Sequence, residues 1–240
     1  MPRLVTACAL MTALALAPDT ALAQAVHALE VPGFRAAAFV TPDAPGQRPV
    51  VIGLHGNFDR PEWMCAAWAG VVAGRAFLLC PRGEPRADAP ELDRWQLPAA
   101  ARLRREIQAA RRALEARYPG RLAPGPDLYV GFSQGAHRIS RMAVDDPAAY
   151  PRIQLVEGGA SLWRDARRYA RSEGRVAFVC AMRWCEMRGT RAARTLERGR
   201  AQARLERRDG AHHDLRVMEP AIRETFEWLI AGDARFGAAP

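Results

Sequence analysis

Residues 127–144 leave the chain little choice of architecture. A short apolar run, Asp127 to Phe132, passes into a helical segment, Gln134 to Val144, through Gly131-Phe132-Ser133-Gln134-Gly135, and Asp145-Asp146-Pro147 stops that helix. A strand that turns into a helix with no loop between them must pack the helix back on its own sheet. Glycine is then needed on both sides of the turn, because a side chain there would crowd the neighbouring helix and strand. The residue at the apex, Ser133, is held in a strained conformation at the carboxyl edge of the sheet.

The same alternation runs through the rest of the chain. Val50 to Leu54 and Ala76 to Cys80 read as strands buried on both faces, and Pro61 to Ala73 between them as a helix with proline near its first turn. Arg102 to Arg117 sets Leu103, Ile107, Ala110 and Leu114 on one face and ends at Pro119-Gly120. Further strands are expected at Ile153 to Val156, Arg175 to Cys180 and Ala203 to Arg207. Helical stretches fall around Trp163 to Arg171 and Thr190 to Arg200, with a last helix at Met218 to Ile230. Val26 to Val40 adds an antiparallel hairpin at an edge. This regular exchange predicts an α/β fold, with right-handed crossovers, a mostly parallel central sheet and helices on both faces. No insertion is long enough to make a large cap, so a site at the sheet edge would be open.

The first 23 residues follow another pattern. Arg3, the apolar run Val5 to Ala17, and Pro18 with Ala21-Leu22-Ala23 have the layout of a cleavable export signal, leaving one domain over residues 24–240. The apolar run is shorter than the roughly 20 residues that span a bilayer, so no stable membrane insertion is expected. Disulfides persist in the periplasm or outside the cell, and the mature chain keeps four cysteines. Cys65 and Cys80 lie near a helix start and the end of the next strand. Cys180 and Cys185 flank the turn Ala-Met-Arg-Trp. Local pairing is geometrically reasonable, with three pairings open. There is no Cys-x-x-Cys motif and no histidine cluster near these cysteines, so no metal site is expected.

All 35 basic residues are arginine, against 26 acids, for a net charge of +9. Without lysine, Schiff-base and Ser-Lys mechanisms are excluded. The positive field favours anionic envelope polymers or anionic substrates. The arginines are spread over 102–117, 164–175 and 188–208 without interleaved aromatics, so nucleic acid is not an expected partner.

Gly131 to Gly135, with its strand before and helix after, matches the Gly-x-Ser-x-Gly elbow that presents a nucleophilic serine. A second segment, His55-Gly56-Asn57-Phe58 after the strand Val50 to Leu54, resembles the His-Gly element that forms half of an oxyanion hole. The amides of Asn57 and Gln134 are then the expected donors, with the His55 side chain bracing the loop. A histidine base is expected after the final strand, where Gly210-Ala211-His212-His213-Asp214 offers two candidates. His213 is the first choice, since the usual pattern is Gly-x-Gly-His, and His212 is the alternative. The turn after Val179 has no aspartate. Glu186 is its nearest carboxylate and the first choice for the acid, with Glu157, directly after Ile153 to Val156, as its rival.

These residues resemble the compact α/β-hydrolases of the dienelactone hydrolase, carboxylesterase and polyester-depolymerase-like branches, over about Val50 to Ile230. The resemblance implies an α/β-hydrolase fold without a large cap, and hydrolysis of a small-molecule or polymeric carboxylic ester through an acyl-enzyme on Ser133. It implies no organic cofactor and no metal. Phe58, Trp63, Phe132 and Trp184 are candidates to line an acyl or aryl pocket. Three alternatives stay open. One is amidase or peptidase chemistry on the same residues, and another is a noncatalytic binding protein of the cell envelope that keeps the fold. The third is an arginine-rich envelope or nucleic-acid binding module in which the elbow is incidental.

Overall fold

The computed structural model describes residues 25–212 and 214–237. The expected export signal, residues 1–23, lies outside the described residues. Among those described, no helix is long and apolar enough to cross a membrane.

The chain opens with the expected edge hairpin, β1 (His27–Leu29) and β2 (Ala37–Val40), paired antiparallel. It continues through β3 (Val50–Leu54), α1 (Pro61–Val72) and β4 (Phe77–Cys80). A two-stranded ribbon of β5 (Glu84–Pro85) and β6 (Trp95–Gln96) follows, which the sequence reading did not anticipate. After it come α2 (Ala100–Arg117), β7 (Leu128–Phe132), α3 (Gln134–Asp145) and β8 (Arg152–Val156). A 3-10 turn at Ala160–Asp165 leads to the short α4 (Arg167–Ala170), where one longer helical stretch was expected. The chain then runs through β9 (Arg175–Cys180), α5 (Arg183–Glu197), β10 (Gln202–Arg207) and α6 (Leu215–Ile230).

Eight strands form one sheet in the order β1-β2-β4-β3-β7-β8-β9-β10, and the six from β4 to β10 are parallel. Strand alternation divides the core between two faces. Val50, Ile52 and Leu54 point to the layer with Leu103, Ile107 and Leu114 of α2, Ile139 and Met142 of α3, and Leu196 of α5. Val51 points to the opposite layer, with Met64 and Trp68 of α1 and Ile222, Phe226 and Leu229 of α6. Each fully buried side chain of this size contributes about 1.5–3 kcal/mol, so the two layers fix which way every strand faces.

A buried polar relay ties the second layer together. The Trp68 indole N–H donates to Gln154 Oε1 at 2.9 Å, while Gln154 Nε2 donates to Ile222 O at 2.7 Å and Thr225 Oγ1 at 2.8 Å. These bonds lock α1 and α6 to β8, whose last residue leads into the site. The four cysteines form two local pairs, Cys65–Cys80 and Cys180–Cys185, out of the three pairings the sequence allowed.

Candidate active site

Ser133 sits between β7 and α3 with φ +50° and ψ −109°, a left-handed conformation that L-residues other than glycine rarely adopt. Its neighbours explain how the strain is held. A Cβ on Gly135 would collide with the backbone of Leu54 and His55, and one on Gly131 would lie 2.7 Å from Ala136 N. The elbow is further pinned by Ser133 N donating to Val156 O (2.9 Å) and by His137 N donating to Ser133 O (3.1 Å). Gly158 is a third requirement that the sequence reading missed, because a side chain there would strike the Ser133 carbonyl.

The ring that meets Ser133 belongs to His212. Its Nε2 lies 3.1 Å from Ser133 Oγ, and its Nδ1 lies 2.9 Å from Glu157 Oε2. The carboxylate accepts from Nδ1–H, which leaves the Nε2 lone pair to accept from the serine hydroxyl. His212 was the alternative to His213. His213 itself lies outside the described residues. Two aromatic rings flank the imidazole, Phe132 at 5.4 Å and Trp184 at 6.1 Å between centroids.

The carboxylate likewise differs from the first expectation. Glu186 is carried away from the site because α5 begins at Arg183, well before Thr190. Its carboxylate faces Arg207 at 3.3 Å on the flank of the molecule. Glu157, the rival candidate, is buried directly after β8, with φ +51°. Its Oε1 accepts from the backbone amides of Ala181 and Met182, and its Oε2 from His212. A buried carboxylate is costly unless its oxygens are satisfied, and here three donors satisfy them. The two amides come from the turn closed by Cys180–Cys185, and both sulfurs lie within 4.8 Å of a Glu157 carboxylate oxygen. With the sulfurs joined in a disulfide, this trio has no thiolate to offer a metal.

His55 braces its loop and does not touch Ser133. It is fully buried, with ring nitrogens 2.7 Å from Gly56 O and 2.9 Å from Arg82 O. Burial pushes its pKa below the ordinary value, against the pull of those carbonyls. The adjoining Asn57 is exposed, and its Oδ1 accepts from Arg86 at 2.7 Å. Phe58 follows with φ +68°, held by its amide donating to Trp95 O at 2.9 Å. The β5–β6 ribbon therefore fixes the Asn57 loop. Gln134, first residue of α3, is locked by accepting from Leu97 N at 2.7 Å.

Against Phe132, the residue before the serine, opens a cleft of about 420 Å³, lined also by Asn57, Phe58, Trp63, Met64 and Leu215 among others. Phe58, Trp63 and Phe132 are thus where an apolar pocket was expected. Trp184 instead packs near the His212 ring with Arg188 over its face, 5.5 Å from the centroid. The arrangement has the parts needed for acyl transfer: a hydroxyl bonded to an imidazole, a carboxylate behind it, and two rigid backbone segments facing the same edge.

Sheet order, elbow and the position of the histidine after the last strand define an α/β-hydrolase fold without a large cap. Solved structures of that fold superpose on most of the chain at low identity. They include the dienelactone hydrolase of Anabaena variabilis (TM-score 0.59, 13% identity, 87% of this chain and 97% of that one). An S-formylglutathione hydrolase of Agrobacterium tumefaciens matches similarly (0.58, 13%, 89% and 95%). A thermostable esterase matches at 0.57 and 14% identity over 87% of this chain, which spans 63% of that one. No family model matches the sequence, and no curated protein matches it significantly.

Proposed function

We propose that the protein is an exported serine hydrolase of carboxylic esters, with Ser133 as nucleophile, His212 as base and Glu157 as the acid that orients it. The observation that carries this reading is the unbroken hydrogen-bonded chain from Ser133 Oγ through both ring nitrogens of His212 to a buried carboxylate. Ser133 Oγ attacks the ester carbonyl as its proton passes to His212 Nε2, and Glu157 stabilises the resulting imidazolium. The carbonyl oxygen, now negative, accepts from the amides of Asn57 and Gln134. Donors of this kind are worth roughly 10²–10³ in rate each. His212 returns the proton to the leaving alcohol. Water, deprotonated by the same ring, then releases the acid from Ser133.

The cleft of Phe58, Trp63 and Phe132 suits an apolar acyl or aryl group next to the scissile bond. Two disulfides and the absence of a membrane-crossing helix among the described residues agree with an exported protein. The noncatalytic alternative is motivated by the missing aspartate and the doubled histidine; the bond between Glu157 and His212 supports the catalytic reading instead. A fluorophosphonate probe and a short-chain p-nitrophenyl ester test the proposal. Purified protein is expected to be labelled and to turn over the ester, and Ser133→Ala, with unchanged circular dichroism, to do neither. Well-folded wild-type protein that is neither labelled nor active would overturn it.

A further inference from the structure

On the flank of the molecule, one turn of chain away from the site, α5 presents a stripe of arginine. Arg183, Arg191, Arg194 and Arg198 stand at i, i+8, i+11 and i+15, which places them on one side of the helix over roughly 20 Å. The opposite side, Cys185, Gly189, Ala192 and Leu196, is buried. All four arginines are exposed, and none makes an ion pair among the described residues. They line a groove of about 650 Å³ whose other wall includes Arg164.

This arrangement works against the helix that carries it. Like charges at i, i+3 and i+4 destabilise a helix by a few tenths of a kcal/mol each, and only the last turn gains from the helix dipole. Of the two acids of α5, Glu186 lines the same groove but is engaged with Arg207, and Glu197 makes no ion pair among the described residues. Many arginines elsewhere are matched, as in Arg75 with Glu227, Arg82 with Glu62 and Arg152 with Asp233, whereas α5 sets four unmatched ones on one side of a single helix. A row of unmatched guanidinium groups in a concave channel is relieved by a ligand with repeated negative charge.

We propose that this groove binds a linear anionic polysaccharide, a polymer with carboxylates at regular intervals, lying along α5. The lining favours a glycan over a nucleic acid. Single-stranded nucleic acids gain much of their affinity from bases stacked on aromatic rings, and no aromatic side chain lines the groove. Thr190 and Thr195 do line it; their hydroxyls donate to backbone carbonyls, leaving oxygen lone pairs that can accept from sugar hydroxyls. The stripe starts at Arg183, next in sequence to Trp184, whose ring packs near His212.

The test is binding of polygalacturonate to the full chain at 50 and 150 mM salt, which does not depend on turnover and so stands apart from the ester hydrolase reading. Saturable binding is expected at both concentrations. Arg194→Glu/Arg198→Glu is expected to weaken it by about tenfold or more, and to flatten its salt dependence. Arg105→Glu/Arg112→Glu, on the exposed side of α2, makes the same change in net charge and is expected to weaken it less than about threefold. Circular dichroism confirms that both variants fold. Equal losses in the two variants would overturn the proposal in favour of diffuse charge attraction. So would absence of wild-type binding at 150 mM salt, or tighter binding of oligothymidylate than of the glycan.

Discussion

The two disulfides are similar in placement and different in what they enclose. Each has one cysteine at the end of a parallel strand, Cys80 on β4 and Cys180 on β9, and one on an adjacent helix, Cys65 on α1 and Cys185 on α5. Cys65–Cys80 spans 15 residues and sits in the apolar layer between α1 and the sheet, among Val51, Met64, Trp68 and Leu78. Cys180–Cys185 spans 5 residues and closes the turn whose amides hold Glu157 and whose Trp184 ring packs near His212. The first cross-link restrains the scaffold, and the second restrains the position of a carboxylate. Loop length sets how much a cross-link stabilises, whereas location sets whether it touches activity.

The largest expected effect sharpens that contrast at the carboxylate itself. Glu157→Gln should lower kcat by about 10³–10⁴ with the fold intact, because an amide there cannot stabilise the imidazolium, whereas Glu186→Gln should stay within about twofold. Comparable losses in both variants would break the assignment of the acid. Next, Cys180→Ala/Cys185→Ala should lose up to about 10² in kcat, since a displacement of about 1 Å in a supporting group has that effect, with KM little changed. By the loop it closes, the same variant should lose about 2 kcal/mol in denaturant unfolding.

Cys65→Ala/Cys80→Ala should show the reverse, about 3 kcal/mol lost in unfolding with kcat unchanged in the folded protein. If both double variants lose activity only in proportion to unfolding, the contrast fails. The smallest effect concerns His55. Its folded pKa lies below the ordinary 6.5, so as pH falls through that value the unfolded ring takes up a proton that the buried ring resists, and stability drops. His55→Gln should remove that acid-side part of the Tm profile. An unchanged profile would show that His55 is not its source.

Legibility followed the range of the forces involved. The elbow could be read from five residues, because Gly131 answers to steric contact with Ala136 a few residues on, and Gly135 to the backbone at the end of the adjacent strand, Leu54–His55, whose apolar run was itself legible. The strand β9 was read to the residue from its apolar run. The start of α5 was not legible. Met182 provides no side-chain cap, and Gly189 inside the helix weakens its signal, yet that glycine is what allows close approach to Leu205 of β10. With its helix start misplaced, Glu186 looked nearer to the site than it is. The β5–β6 ribbon, two residues per strand and including Pro85, has no alternation to detect.

The sequence by itself determined the α/β architecture, the strained serine, the loop of Asn57 and the short segments that carry the candidate histidines and carboxylates. Which of two adjacent histidines and which of two glutamates completes the chain was decided by tertiary structure. Those bonds join residues 79 and 55 positions apart, and they depend on where three strand ends meet to within a fraction of an ångström. Local turn chemistry is fixed by contacts that neighbouring residues cannot avoid. Hydrogen bonds between distant segments exist only once the packed sheet has set their separation.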